Sequence, residues 1–245
     1  MEKSKILKIF YLIPSSIRRW IDSASYGIEQ FVFSLSKELP PDAKILDAGA
    51  GEAPFKKFFK SHKYIAIDTK CGDADWDYSN LDFAGDLAKL PFKEGTFDAV
   101  LCTQVLEHVK EPGKVLEELH KVLKKGGFLY LSAPQGWGVH QAPHDYYRYT
   151  CYGLQYLLEK VGFRVIYIRP SCGYFGYLAN RLTIFPKMFW QIKSQWIRII
   201  MFPFELLSYF FFVLIFPVIL NIIDFFDKER DYTLNYFVKA IKINL

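Results

Sequence analysis

Three aspartates and two glycines in the first part of the chain have the spacing of a ligand-binding edge. Asp47 is followed by Gly49 and Gly51, Asp68 comes nineteen positions after Gly49, and Asp86 stands in Gly85-Asp86-Leu87. Glycines at 49 and 51 let the backbone bend sharply and let a ligand approach the main chain with no Cβ in the way. A carboxylate at Asp68 can accept both hydroxyls of a ribose. Asp86 can accept from a ring amino group while Leu87 packs on the ring. Thr103-Gln104 add a hydroxyl and an amide. The run from Pro134 to Thr150 then gathers His140, His144, Asp145, Tyr146, Tyr147 and Arg148, side chains suited to proton transfer.

Positioning these groups on one rim requires a particular set of elements. Each aspartate closes or follows a short apolar run, which predicts strands at 44–48, Tyr64–Asp68, Phe83–Asp86, Phe97–Thr103, Phe128–Ala133 and Arg164–Arg169. Helices are expected at 53–60, 112–125 and 150–161, with Gly126-Gly127 as a helix stop and Thr150 as a cap. Strands alternating with helices predict a parallel α/β sheet with right-handed crossovers. Ligands of such sheets bind beyond the carboxyl ends of the strands. The candidate residues fall at four successive strand ends, and together they predict one crevice for an adenosyl ligand.

The bulk composition suits that reading. The 245-residue chain is 51% hydrophobic and 18% aromatic, enough for one α/β domain with an elaboration. A net charge of +5 is too mild for a nucleic-acid footprint, although it is compatible with an anionic cofactor or an acidic membrane surface. Cys71, Cys102, Cys151 and Cys172 form no CxxC pair, which predicts a reduced, cytoplasmic-type chain with no structural zinc and no metal site. Residues 1–39 predict two amphipathic helices split at Pro14-Ser15-Ser16, packed on their own domain or resting on a membrane surface. The run Ile9–Ile13 is too short for a signal peptide.

Asp47-x-Gly49-x-Gly51, Asp68, Gly85-Asp86-Leu87 with Leu90-Pro91-Phe92, and Phe97-Asp98 through Glu107-His108-Val109 resemble the class I S-adenosylmethionine-dependent methyltransferases. The resemblance covers about residues 40–170 and is nearest to the type 11 small-molecule group. It implies a Rossmann-like seven-stranded sheet with its last strand antiparallel, here Tyr232–Ile243. The chain is then expected to divide into an N-terminal helical cap over 1–40, a cofactor domain over 41–170 plus 230–245, and, over 171–229 before the last strand, a hydrophobic helical insertion that a minimal methyltransferase lacks. Carried over, Gly49 and Gly51 line the methionine moiety of S-adenosylmethionine and Asp47 reaches its amino group. Asp68 holds the ribose, Asp86 and Leu87 the adenine, and Thr103-Gln104 floor the methyl-transfer side. Pro54 stands near where many members have a third glycine. A dinucleotide-binding dehydrogenase, the competing reading, wants a small residue there.

The acceptor is read partly from absences. Strand four is followed by Cys102-Thr103-Gln104-Val105, without the Asn/Asp-Pro-Pro-aromatic motif of amino-directed nucleic-acid methyltransferases, so no nucleic-acid partner is expected. The stretch His144-Asp-Tyr-Tyr-Arg-Tyr-Thr150 resembles type 11 relatives encoded with polysaccharide assembly enzymes, which implies a saccharide or polyprenyl-linked hydroxyl. An isoprenoid quinone-type ring is the alternative acceptor, and a non-catalytic cofactor-binding membrane scaffold the alternative role. His144 is the first candidate base, oriented by Asp145 or a tyrosine such as Tyr147; His140 is the second. A lid that only rigidifies the site is the structural reading of the same loop, and His108, beside Glu107, reads as structural.

Leu206 to Ile223 is uncharged, a borderline membrane span. A single crossing would part the last strand from its sheet, so two shorter helices broken at Pro203 and Pro217 are expected. Lys187, Lys193, Arg198, Trp190 and Trp196 suit the headgroup level. The expectation is a cytoplasmic protein, peripheral or monotopic on the inner face of the membrane. A homodimer through the insertion and a substrate lid are the alternatives.

Overall fold

A computed structural model describes residues 18–20 and 22–243. The helix expected before Pro14 lies outside the described residues. Among those described, the chain forms two compact units. One holds the stretch up to Gly27 together with Pro170–Leu234; the other holds Ile28–Arg169 and the chain from Asn235 onward.

The second unit is built on a seven-stranded sheet in the order β3-β2-β1-β4-β5-β7-β6. The strands are β1 (Lys44–Ala48), β2 (Lys63–Asp68), β3 (Phe83–Ala84), β4 (Phe97–Thr103), β5 (Leu123–Pro134), β6 (Phe163–Pro170) and β7 (Asn235–Lys242). β1 pairs parallel with both β2 and β4, and β7 runs antiparallel to β5. Strand order therefore reverses between β1 and β4, the place where open α/β sheets bind ligands.

Strand alternation divides the core between the two faces. Val100 and Cys102 pack with Leu46, Leu131, Leu116 and Leu119 on one face. Ala99 and Leu101 pack with Ile45, Tyr130, Phe31 and Leu35 on the other. The second face is covered by α1 (Ser23–Glu38). The first is covered by α2 (Pro112–Val122), which buries Val115, Leu116, Leu119 and Val122, and by α3 (Cys151–Val161), which buries Leu154 and Leu158. Thr150 caps α3 by accepting the Gly153 N–H at 3.1 Å, and Gly162, with φ +102°, ends it in the left-handed conformation.

Three local expectations need correction. The helix expected at 53–60 is only a 3₁₀ turn at Lys56–Phe58, because Ala53 takes a positive φ of 53° just ahead of Pro54. The third strand stops at Ala84, two residues short of Asp86. The helix expected to run to Lys125 ends at Val122, and β5 begins at Leu123. Gly126, with φ +74°, sits inside the strand rather than stopping a helix. A register shift between Phe97 and Ala99 takes up the irregularity.

The other unit contains α4 (Tyr174–Leu182), α5 (Gln195–Tyr209) and α6 (Phe216–Ile223). Asp224 and Asp227 hold the start of α4. The Asp224 carboxylate accepts the N–H groups of Gly173 and Gly176, and Asp227 accepts that of Tyr174. The expected break at Pro203 is absent: Pro203 lies inside α5, and a wide-turn segment at Phe210–Ile215 joins α5 to α6. Such a widened turn accommodates the missing N–H and ring bulk of Pro217. Gln195–Phe226 is thus one helical stretch of 32 residues. Its most apolar 18-residue window has a mean hydropathy of 2.5 and is only 11% buried.

Candidate functional site

The turn after β1 is held by main-chain bonds to β2. The N–H groups of Gly49 and Ala50 donate to the Ile67 carbonyl at 2.8 and 3.1 Å. Gly49 (φ +80°) and Gly51 (φ +55°) both take the left-handed conformation. A Cβ on Gly49 would lie 2.4 Å from Val105 Cγ2, and one on Gly51 would lie 2.9 Å from the Trp76 ring. Both positions therefore require glycine for space as well as for φ.

Asp68 closes β2 and locks this turn. Its Oδ2 accepts the Gly51 N–H at 3.0 Å and its Oδ1 accepts the Lys70 N–H at 2.6 Å. Each oxygen keeps a lone pair for a ligand hydroxyl. Asp47 lies beneath the turn, 1% exposed. Its Oδ2 accepts from the Tyr64 hydroxyl, while Oδ1 has no hydrogen-bond partner among the described residues. Burial pushes its carboxyl up to about 7, against the lowering effect of the Tyr64 bond and with a smaller push from Asp68.

On the next strand ends, Asp86 is exposed and accepts the Ala88 N–H at 2.9 Å, which turns Leu87 inward to 3% exposure. Gln104 has φ +54° and is fastened twice to β5: its N–H donates to the Ser132 carbonyl at 2.9 Å and its Nε2 to Ser132 Oγ at 3.0 Å.

The loop after β5 is tied down from both sides. Arg148 forms a fork with Asp145, Nη1 to Oδ1 at 2.7 Å and Nη2 to Oδ2 at 2.8 Å. It also donates to the carbonyls of Trp137 and Gly138. The Asp145 carboxyl is held well below the usual range, chiefly by the Arg148 bonds, with the His140 N–H assisting. The N–H groups of Tyr146 and Tyr147 donate to the Glu107 carbonyl, and the Tyr149 hydroxyl to that of Leu106.

Gly49, Asp68, Asp86, Leu87, Gln104 and His144 converge on one cavity of about 410 Å³, within the usual span of small-molecule sites. Asp47, Gly51, Thr103, His140 and Tyr147 are not on its wall. Tyr147 is instead spent on the Lys110 carbonyl at 2.9 Å. Asp145 does not orient His144, because Arg148 occupies it; the neighbour of His144 Nδ1 is the Tyr146 hydroxyl at 3.3 Å. Sequence reasoning missed Trp76 and Gln141, and gave His108 a structural role although it lines the same wall. Trp76 and Gln141 belong to irregular loops, where no periodicity marks an inward side chain.

A cradle that a Cβ would fill, a ribose-ready carboxylate and an apolar adenine shelf fit S-adenosylmethionine. The sheet order, with its antiparallel seventh strand, and the glycine turn at the reversal point define a class I methyltransferase domain. Residues 46–131 match the family described as methyltransferase domain, type 11. This part of the chain is such a domain, of the S-adenosylmethionine-dependent kind.

The chain is similar to an uncharacterized protein of Methanocaldococcus jannaschii, 35% identical over 119 residues, 47% of this chain and 52% of that one. It is also similar to a demethylmenaquinone methyltransferase of Streptomyces avermitilis, 38% identical over 93 residues, 36% of this chain and 40% of that one. The chain thus spans about half or less of these relatives' lengths. Among solved structures, the 1,6-didemethyltoxoflavin-N1-methyltransferase of Burkholderia thailandensis, crystallised with S-adenosylhomocysteine, shares the fold. That match has a TM-score of 0.54 at 16% identity and covers 98% of this chain and 87% of that one.

Proposed function

We propose that the protein methylates a hydroxyl on a small or lipid-linked acceptor, a saccharide or polyprenyl-linked glycan foremost. The observation that carries this is the shared cavity, which joins Gly49, Asp68, Asp86, Leu87 and Gln104 to His144, Gln141 and Tyr146. Bound S-adenosylmethionine supplies an electrophilic methyl on a sulfonium. The residues of this chain align the acceptor with that methyl and exclude water. With the cofactor bound, His144, exposed on the cavity wall, would accept the proton of the acceptor hydroxyl.

The long apolar helix supports a lipid-linked acceptor. Ile200, Phe204 and Leu207 are each more than half exposed along it, and large apolar side chains gain roughly 1.5–3 kcal/mol each on leaving water. At 1.5 Å per residue its 32 residues reach about 48 Å. The strands before and after the insertion, β6 and β7, are neighbours in one sheet. That favours a helix lying in the membrane surface, on the cytoplasmic side, over a single crossing. A homodimer through the same face would also cover it.

A second acceptor class, an isoprenoid quinone ring, is favoured by the similarity to the demethylmenaquinone methyltransferase. Incubation of the full chain with methyl-labelled cofactor and a membrane lipid extract tests the reading. Label on a glycolipid supports the first acceptor and label on a quinone the second. No labelled product, with cofactor still bound by calorimetry, would leave a scaffold role and overturn the enzyme reading.

A further inference from the structure

Beside the cavity, one carboxyl group and two imidazoles lie close together. Glu107 is 0% exposed, and neither carboxylate oxygen has a hydrogen-bond partner among the described residues. His108 Nε2 is likewise buried and unpartnered, 3.9 Å from Glu107 Oε1. This distance is too long for a hydrogen bond, even from a protonated carboxyl. His140 completes the group: one ligating atom from each of Glu107, His108 and His140 lies within 4.8 Å of the others.

The tautomers are set by the backbone. His108 Nδ1 lies 2.6 Å from the His144 carbonyl oxygen, and His140 Nδ1 lies 3.1 Å from the Gly138 carbonyl oxygen. A carbonyl only accepts, so each Nδ1 carries the proton and each Nε2 presents a lone pair. A second-nitrogen bond to a backbone carbonyl is the usual support of a metal-bound histidine. Arg148 does not bond this group; its guanidinium is paired in a fork with Asp145.

We infer that Glu107, His108 and His140 form a site for one divalent cation of the zinc, cobalt or manganese kind, with an open position toward the cavity that His108 lines. Two imidazoles and one carboxylate suit that group of ions, and three protein ligands leave a tetrahedral ion one position for water or substrate. Metal–ligand bonds of about 2.0–2.2 Å put tetrahedral ligand atoms about 3.4 Å apart. Half-buried His140, on its loop, supplies the small approach needed.

The site depends on neither the acceptor nor the methyl transfer, so it is tested by the metal alone. The full chain, freed of metal with a chelator, is titrated with Zn²⁺ against a chromophoric competitor and with Co²⁺ by visible absorption. One equivalent per chain is expected, with tetrahedral cobalt bands and no thiolate charge-transfer band. Glu107→Gln and His140→Ala each weaken binding 10–100-fold, while His62→Ala leaves it unchanged. Should Glu107→Gln fail to fold, His140→Ala decides, with S-adenosylhomocysteine affinity reporting that the domain is intact. Absence of stoichiometric binding, or equal binding by His140→Ala and the parent, would overturn the inference.

Discussion

The carboxylate of Asp68 holds the N–H of Gly51 at 3.0 Å, so the end of β2 sets the shape of the turn that follows β1. The same side chain lines the cavity, and on the proposed function it would accept from a ribose hydroxyl. Asp68→Ala removes both roles at once. A charged hydrogen bond is worth about 1.5–3 kcal/mol, so S-adenosylhomocysteine affinity should fall roughly 10–100-fold. Asp68→Asn, which keeps one acceptor oxygen, should lose less. Calorimetry on the three proteins orders them, and equal affinities would refute the assignment.

Gly49 is constrained by Val105. Gly49→Ala puts a methyl 2.4 Å from Val105 Cγ2 at a φ of +80°, which should destabilise the domain by about 1–3 kcal/mol. Gly49→Ala with Val105→Ala should cost less than the sum of the two single changes, because the second relieves the clash. Thermal unfolding of all four proteins reads the coupling.

Asp47 makes stability depend on pH. Its folded carboxyl titrates at about 7, above the ordinary 3.8, so between these values the folded state keeps a proton that the unfolded chain has released. Stability is therefore greatest below about pH 4, declines as pH rises and levels off above about 7, by on the order of a few kcal/mol. Asp47→Asn should flatten this component. Urea unfolding at pH 5 and pH 8 provides the comparison; a parent whose relative stability rises over that interval would contradict it.

Arg148 secures the loop that carries the imidazoles. Its guanidinium bonds the Asp145 carboxylate twice and three carbonyls besides, a pattern that one ammonium group cannot reproduce. Arg148→Lys should therefore expose residues 135–149 to limited proteolysis, with turnover reduced more than cofactor affinity. By contrast, His144→Ala should leave the loop protected and lower kcat by about 10²–10⁴. If His144→Ala and His140→Ala both retain parental turnover, neither is the base.

The sheet was legible because strands 44–48 and 97–103 are apolar runs with sharp ends, and both form at those bounds. Glycine and aspartate recur at or just past the strand ends, and Gly49, Asp68 and Asp86 do line one cavity. Less could be read where tertiary contacts decide. Nothing in the type of Asp145 shows that Arg148, three residues on, would claim it in place of His144. Pro203 suggested a break, yet the helix passes through it, and the widened turn instead precedes Pro217. Glu107 and His108 read as a short structural segment. That both leave atoms unpartnered, with His140 of the loop after β5 close by, depends on tertiary packing.

The placement of β7 also governs the order in which the protein can mature. β7 lies between β5 and β6, yet the ribosome makes it after both and after the whole apolar helix. Until then β5 lacks its antiparallel neighbour, and a greasy segment has already emerged beside an unfinished sheet. Nascent chains paused between Phe226 and Asn235 should therefore be protease-sensitive and retained by chaperones or membranes. Release of the final strand becomes the step that commits the domain to its fold.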